Sequence, residues 1–302
     1  MKRFSRFLAT SHQLVGIGPL YAILAYGAWG LLPIYWKFLD AVPAVEVLSH
    51  RIIWSMVFLS GILLLQRRWA ELTELLRSPR RLVLLAFTAL LLSFNWGLYI
   101  YGVNSDQVVE ASLGYFINPL VNVLLGFLFF RERLLRSQLL AVGLAIVAVV
   151  NFIWQLGTVP WIALGLAFSF AFYGMLRKIA LVTPMIGLAV ETLMVTPLAI
   201  ALVSYWAVQG VGSFSGHWPI TLLLVGAGIT TSLPLLWFNH AAKRLRFSTL
   251  GFFQYIAPSL QLMVGVFLYR EPFTATHVVT FGLIWVALLA YSIPALWRRP
   301  VL

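Results

Sequence analysis

The sequence predicts an all-α integral membrane protein, with ten transmembrane helices in two inverted five-helix repeats. Three observations predict it. Of the 302 residues, 61% are hydrophobic and only 10% charged, against roughly 25% charged in a soluble domain. The apolar residues fall in blocks of about twenty, the length a helix needs to cross a ~30 Å hydrocarbon core. Two stretches 139 residues apart also read alike without a gap: Pro119…Gly126…Arg131-Glu132…Ser137…Gly143 and Pro258…Gly265…Arg270-Glu271…Thr276…Gly282. Both open on a Leu-Gly-aromatic-aromatic run, Leu113-Gly114-Tyr115-Phe116 and Leu250-Gly251-Phe252-Phe253, with two extra residues before the second proline. Repeats built from membrane helices are the usual plan of secondary transporters.

The first span lies near 19–36, closed by Lys37, and the second near 45–65, closed by Arg67-Arg68. Arg77, Arg80 and Arg81 precede the third, near 82–103. Glu110 precedes the fourth, near 111–130, which Arg131 ends. The fifth (139–155) and sixth (159–176) are separated only by Gln155-Leu156-Gly157-Thr158-Val159-Pro160, whose Gly and Pro favour a turn. Arg177-Lys178 closes the sixth; the seventh runs near 187–206, the eighth near 220–239, the ninth near 249–269 and the tenth near 277–297. The domains follow: an N-terminal segment 1–18, repeats at 19–155 and 159–297, and a tail at 298–302. The basic start resembles the front of a signal peptide, but the first apolar block is too long and lacks a small-residue cleavage site, so it is expected to be retained.

The net charge of +12 is one-sided. With the N-terminus in the cytoplasm, Lys2, Arg3, Arg6, Arg67, Arg68, Arg77, Arg80, Arg81, Arg131, Arg133, Arg136, Arg177, Lys178, Lys243, Arg244, Arg246, Arg298 and Arg299 all face inward. Only Lys37 and Arg270 face outward, and Arg51 lies within a span. The positive-inside rule then places both termini in the cytoplasm. Five helices per repeat is an odd number, so the second copy enters from the opposite side, as alternating access between mirrored halves requires.

Such an excess of basic loops sets orientation and does not imply nucleic acid. The chain has no cysteine, which excludes disulfides, thiolate metal sites and cysteine catalysis. There is no Gly-x4-Gly-Lys-Ser/Thr, no His-Glu-x-x-His and no Gly-x-Ser-x-Gly run, so neither ATP-driven work nor an enzyme is expected. No cofactor or metal is called for. The expected partners are a small-molecule solute, the lipid bilayer and protons as a candidate coupling ion.

Pro119 follows Glu110 by nine residues, roughly 13 Å of helix, which sets it near the midplane. A proline there frees a backbone carbonyl, tolerated in lipid only where that carbonyl faces protein or a wet cavity. Tyr115, Asn118 and Asn122 surround Pro119, and Gln254, Tyr255 and Gln261 surround Pro258. These residues are candidates for lining the substrate path. The alternative is a packing kink whose freed backbone groups the amides satisfy.

Glu191 is the carboxylate placed within a span, and an intramembrane ionisable group is a candidate proton carrier. The competing reading is a carboxylate near a helix N-terminus, stabilised by the dipole, as Glu46 is at the start of the second span. His50-Arg51 needs a partner, with Glu46 one turn back; the cluster is a candidate for substrate contact, a gate or a local structural pair. The Arg-Glu pairs, with Ser137 and Thr276 after them, read as hairpin caps. Trp36, Trp69, Trp154, Trp161, Trp206, Trp218 and Trp297 sit where an interfacial belt falls. Trp29 and Trp96 lie deeper and are candidates for stacking on a solute, whereas Asn95 suits a bond between helices or the cavity wall.

On these residues the chain resembles the EamA family of the drug/metabolite transporter superfamily. The family-level marks are Trp29-Gly30 followed by Lys37, and the twice-repeated Pro-x6-Gly-x4-Arg-Glu. Narrower marks are Tyr35-Trp36-Lys37, His50-Arg51-Ile52, Glu110 through Pro119, and Ser248 through Pro258, which resemble the RarD-type members. The resemblance runs from about residue 16 to 293. It implies ten helices in inverted repeats, a cavity lined by spans 1, 3, 4, 6, 8 and 9, and export or exchange of small metabolites or drugs across a bacterial inner membrane. Members are conventionally labelled chloramphenicol-sensitive proteins, a label that defines no transported substrate. The alternative function is a non-transporting membrane sensor or scaffold, although the short inward loops leave no docking domain.

Overall fold

Inside a bilayer no water serves the backbone, so each crossing segment must satisfy its own amides as a helix. The computed structural model describes residues 2–131, 134–214, 216–242, 244–245 and 253–297, with side chains from 17 to 292. The described residues are helical, without strands. In order they form α1 (Lys2–Lys37), α2 (Ala44–Leu65), α3 (Trp69–Leu76), α4 (Pro79–Asn104), α5 (Val108–Phe130) and α6 (Arg136–Leu156). Then come α7 (Trp161–Ala180), α8 (Pro184–Val208), α9 (Trp218–Ala242), α10 (Ile256–Met263), running into a π-helical turn at Val264–Leu268, and α11 (Ala275–Trp297). Nine spans among the described residues are long and apolar enough to cross a membrane, and Ile256–Leu268 is a shorter one.

The fifth and sixth expected spans are separate helices. Gly157 ends α6 at φ +68°, a conformation open to glycine without strain, and Pro160 precedes α7. Proline also begins α4 and α8, where its missing N–H costs nothing. The loop expected to be merely basic after α2 holds the amphipathic α3, which buries Leu72 and Leu75 and carries an Arg68–Glu71 ion pair at 2.6 Å. Ser137 and Thr276 do not cap: the Leu135 N–H donates to Gln138 Oε1 (2.9 Å), and Thr274 approaches the His277 ring (2.9 Å). The two repeated prolines differ. Pro119 sits inside the continuous α5, whereas Pro258 lies in the first turn of α10, just after a turn at Gln254–Tyr255. The expected broken helix is therefore present only in the second copy. Glu132, Arg133, Lys243, Arg246, Arg298, Arg299 and the run from Ser248 to Phe252 lie outside the described residues.

With lipid as apolar as the side chains, helices associate through close backbone approach and interhelical bonds. Gly114 of α5 faces the Ala163 carbonyl of α7, where an added Cβ would stand 2.7 Å from it. Gly228 of α9 lies directly against the Trp54 carbonyl of α2. The packing has a regular plan: α5 packs on α7 as α10 packs on α1, α4 on α7 as α9 on α1, and α2 on α9 as α8 on α4. The pairs α2–α8, α5–α10 and α6–α11 meet directly. Large apolar side chains such as Leu65, Val83, Leu90, Trp154 and Phe267 stay exposed on the outside of the bundle, as a lipid-facing surface requires. Trp36, expected at the interface, is instead fully buried among α1, α2 and α4.

Candidate functional site

Helices α6 and α11 pack to one side of the bundle, which leaves the other eight spans to enclose a central cavity of about 540 Å³. Its walls come from Tyr26 and Trp29 on α1, Asn95, Trp96 and Tyr99 on α4, and Tyr115, Asn118 and Pro119 on α5. Phe170, Tyr173 and Arg177 on α7, Thr231, Leu235 and Phe238 on α9, and Pro258 and Gln261 on α10 complete them, with Gln254 at the turn before α10. Spans 1, 3, 4, 6, 8 and 9 thus line the cavity as expected. Two more contribute: Arg51 from α2, and Pro184 and Leu188 from α8. The lining is mostly apolar and aromatic with a few polar groups, as small-molecule sites are.

The polar groups are held by the helices around them. Asn95 donates to the Leu166 carbonyl (3.1 Å) and Ser169 Oγ (2.9 Å), tying α4 to α7. Asn118 donates to the Ala167 carbonyl (3.0 Å), and Asn122 donates to Asn118 Oδ1 (3.1 Å). The asparagines therefore bridge helices or each other; they do not serve the carbonyl that Pro119 frees. Gln261 donates to the Trp29 carbonyl (3.2 Å), while its Oε1 is buried without a partner.

Arg51 stands at the wall near one end of the bundle, 4% exposed. Its Nε donates to Thr231 Oγ1 (2.8 Å), and its guanidinium lies over the rings of Trp96 (4.0 Å) and Trp36 (5.0 Å). Nη1 is buried without a hydrogen-bond partner. The expected pairing with Glu46 does not form, because Ser213 holds that carboxylate through its N–H (2.6 Å) and Oγ (3.1 Å). His50 points elsewhere, stacked on Phe214 with ring centroids 4.6 Å apart.

Glu191 occupies the other end. It is 1% exposed and accepts from Thr88 Oγ1 (2.6 Å) and Tyr173 OH (3.3 Å), with Arg177 Nη1 at 3.7 Å. Because α8 starts at Pro184, Glu191 lies a turn deeper than the sequence reading placed it, and its partners are side chains rather than helix-terminal amides. Tyr173 and Arg177 both line the cavity. Arg177 also donates to the Thr183 (3.2 Å) and Pro184 (3.4 Å) carbonyls, passing over Gly187 where any Cβ would collide with its guanidinium.

The end near Arg51 is sealed. Lys37 pairs with Asp106 at 2.6 Å, Tyr35 OH donates to the Leu223 carbonyl, and Tyr269 OH donates to the Pro33 carbonyl (3.3 Å). Glu271 accepts the Val108 and Val109 N–H groups, both at 2.7 Å, so this carboxylate of the repeated Arg-Glu motif caps α5 and not its own next helix. Burial pushes the Glu271 carboxyl up and the two amides pull it back. Glu110 caps α7 in the same way, accepting from Ile162 N–H (2.9 Å) and Ala163 N–H (3.3 Å). At the opposite end the lining reaches Val182 and the exposed Pro184.

Of the candidates, Tyr115, Asn118, Pro119, Gln254, Pro258, Gln261, Trp29, Asn95, Trp96 and Arg51 share this one cavity. Asn122 lies one helical turn behind Asn118, and Tyr255 faces Phe116 (6.5 Å between centroids). Sequence reasoning missed Tyr26, Tyr99, Tyr173, Arg177 and Thr231. Only Arg177 carried a signal, and as a loop cation it was counted toward orientation. The four others are ordinary residues of apolar helices until the bundle turns them inward.

The description "EamA-like transporter family" matches residues 16–154, the first five spans. The chain is 47% identical over 284 residues to "Protein RarD" of Salmonella typhi, covering 93% of this chain and 96% of that one. It is 46% identical over 291 residues to a Vibrio cholerae protein described as "Uncharacterized transporter", covering 96% of each. One solved crystal structure shares the fold at a TM-score of 0.60 and 19% identity, covering 92% of this chain and 98% of that one. The chain therefore belongs to the EamA-like transporter family, in its RarD-type group, and is a multi-pass membrane transporter.

Proposed function

We propose that the chain is a secondary transporter that binds a small metabolite or drug in the central cavity and carries it across the bacterial inner membrane by alternating access. Export or exchange, driven by a proton or solute gradient, is the direction of the reading. The observation that carries it is a central cavity bridged at one end by Lys37–Asp106 and extending to exposed Pro184 at the other. Two inverted repeats, 19–155 and 159–297, are supported by the packing plan: exchanging the first five spans for the second five maps the most extensive packing pairs onto one another or onto themselves. Basic loops then make the Arg177 end cytoplasmic, so the cavity leads inward in this state.

Because the chain has no cysteine, a single Leu235→Cys variant reads access directly. In vesicles of known sidedness it reacts with an impermeant thiol reagent from the cytoplasmic side, and a transported solute shifts that reactivity. Reaction from both faces at once would describe a channel. Reactivity that no solute alters, with no flux into liposomes, would describe a sensor.

Glu191 is assigned the coupling proton. What supports this is that it is a buried carboxylate whose partners Tyr173 and Arg177 line the cavity, so neutralising it loosens one wall. Glu191→Gln, which keeps the shape, flattens the pH profile of transport and spares solute binding. An unchanged profile returns Glu191 to a structural role.

A further inference from the structure

Among the described residues, Arg51 is a buried cation of the cavity wall with no carboxylate partner. A cation removed from water normally has a counter-charge or a full set of acceptors. Arg51 has one acceptor, Thr231, two indole faces and a buried Nη1 with nothing to donate to. Among the described residues no carboxylate pairs with it. Glu46 on its own helix is held by Ser213, and Glu191 lies at the far end of the bundle against Thr88, Tyr173 and Arg177. The phenols of Tyr99 and Tyr115 line the same cavity, and the Tyr99 hydroxyl is also buried without a partner among the described residues. Arg51 and Tyr99, each with a buried polar atom that has no partner among the described residues, thus both line a cavity rich in aromatic rings.

We propose that this wall binds the carboxylate of a small organic monoanion, with Arg51 Nη1 and the Tyr99 hydroxyl donating to its oxygens. The rest of the solute lies against Trp29, Trp96 and Phe238. Guanidinium and carboxylate are matched in geometry and charge, and the pairing is strongest where water is excluded. A phosphate dianion fits less well, because the second cation of the cavity, Arg177, already has Glu191 as its counter-charge at 3.7 Å and donates to the Thr183 and Pro184 carbonyls, although its Nη1 makes no hydrogen bond. This inference deepens the transport reading and rests on it.

The test pairs each acid with the amide of the same skeleton: phenylacetate with phenylacetamide, indole-3-acetate with indole-3-acetamide, hexanoate with hexanamide. Phenethylamine serves as the cationic control, and binding is read by thermal shift and calorimetry on detergent-purified protein. At least one acid binds, and its amide and the amine bind far more weakly. Arg51→Met weakens the acid by about 100-fold, the usual scale for truncating one partner of a buried hydrogen-bonded charge pair. Arg51→Lys and Tyr99→Phe retain part of the affinity, which keeps the test meaningful if Arg51→Met does not fold. Equal binding of acid and amide, undiminished acid binding to Arg51→Met, or no acid bound by the native protein each overturns the proposal. The two readings fail differently. Acid binding with no liposome flux removes transport and keeps the Arg51 site, whereas flux of an amine or amide without acid binding removes the site and keeps transport.

Discussion

Arg51 and Glu191 are the two buried charges at the ends of the cavity, and they hold matched places. Each is the eighth residue of its helix, α2 or α8, and these two helices pack against each other. Each is bonded to a threonine of the neighbouring helix, Thr231 of α9 for Arg51 and Thr88 of α4 for Glu191. Their surroundings differ. Glu191 has two hydroxyl donors and a cation, so its charge is met within the bundle. Arg51, a lining residue of the cavity, has no carboxylate partner among the described residues and keeps a buried, unsatisfied N–H. The difference teaches that burial of a charge says little about its role; what remains unpaired after folding says more.

The comparison can be broken most directly by measuring stability. Glu191→Leu leaves Arg177 and two hydroxyls without their acceptor and lowers unfolding stability by about 2–4 kcal/mol, near the 3–5 expected for breaking a buried pair. Arg51→Met removes a charge that has no counter-charge and is neutral or stabilising by about 1–2 kcal/mol, as apolar replacements of buried ions often are. Opposite signs in detergent melting curves sustain the contrast. Equal losses would mean that Arg51 is structural too.

A smaller effect separates the two helices that carry these charges. Gly228→Ala puts a Cβ against the backbone at Trp54 and Ser55, forcing α9 away from α2 and Thr231 from Arg51. Overpacking of this kind costs about 1–3 kcal/mol. Gly187→Ala meets only the end of the Arg177 side chain, which can swing away, so its cost stays near or below ~1 kcal/mol while the grip on Glu191 loosens. Melting temperatures in the reverse order would show the Arg177 end to be the more rigid.

Pro258→Ala and Pro119→Ala are both expected to reach the membrane with slowed transport, and the structure ranks them. Pro258 opens the helix after a turn, where it shapes the backbone, so its replacement impairs flux more than that of Pro119 inside a continuous helix. Liposome flux at matched protein density gives the order. Least of all, Lys37→Met breaks an ion pair whose Asp106 side chain is 69% exposed, and stability changes by less than ~1 kcal/mol. Its effect appears as greater thiol access from the sealed end.

The ten spans, the basic loops and the duplicated motif are legible without coordinates because they depend on segment length, apolar composition and residue spacing along the chain. Much of the cavity was legible too, since prolines and amides near mid-helix in an apolar segment need a protein or aqueous partner. His50, Asn122 and Tyr255 show the limit. His50 and Tyr255 neighbour lining residues in sequence, but a step of one along a helix turns a side chain by about 100°, from 3.6 residues per turn, and only packing decides which face looks inward; Asn122 shares the face of Asn118 a turn away and bonds to it. Glu271 shows another: its motif marks a hairpin, but the amides it caps belong to α5, far away in sequence.

The amino-acid order by itself determined that this chain crosses a membrane many times, that it carries a duplicated motif, and which of its residues are costly to bury. The tertiary structure alone decided which of those costs are met. Glu46 went to Ser213, Glu191 to Thr88 and Tyr173, and Arg51 to no carboxylate. Partners such as Glu46 and Ser213, or Glu191 and Thr88, are separated by a hundred residues or more and meet only when helices pack, so satisfaction of a buried charge is a property of the bundle and not of any segment in it.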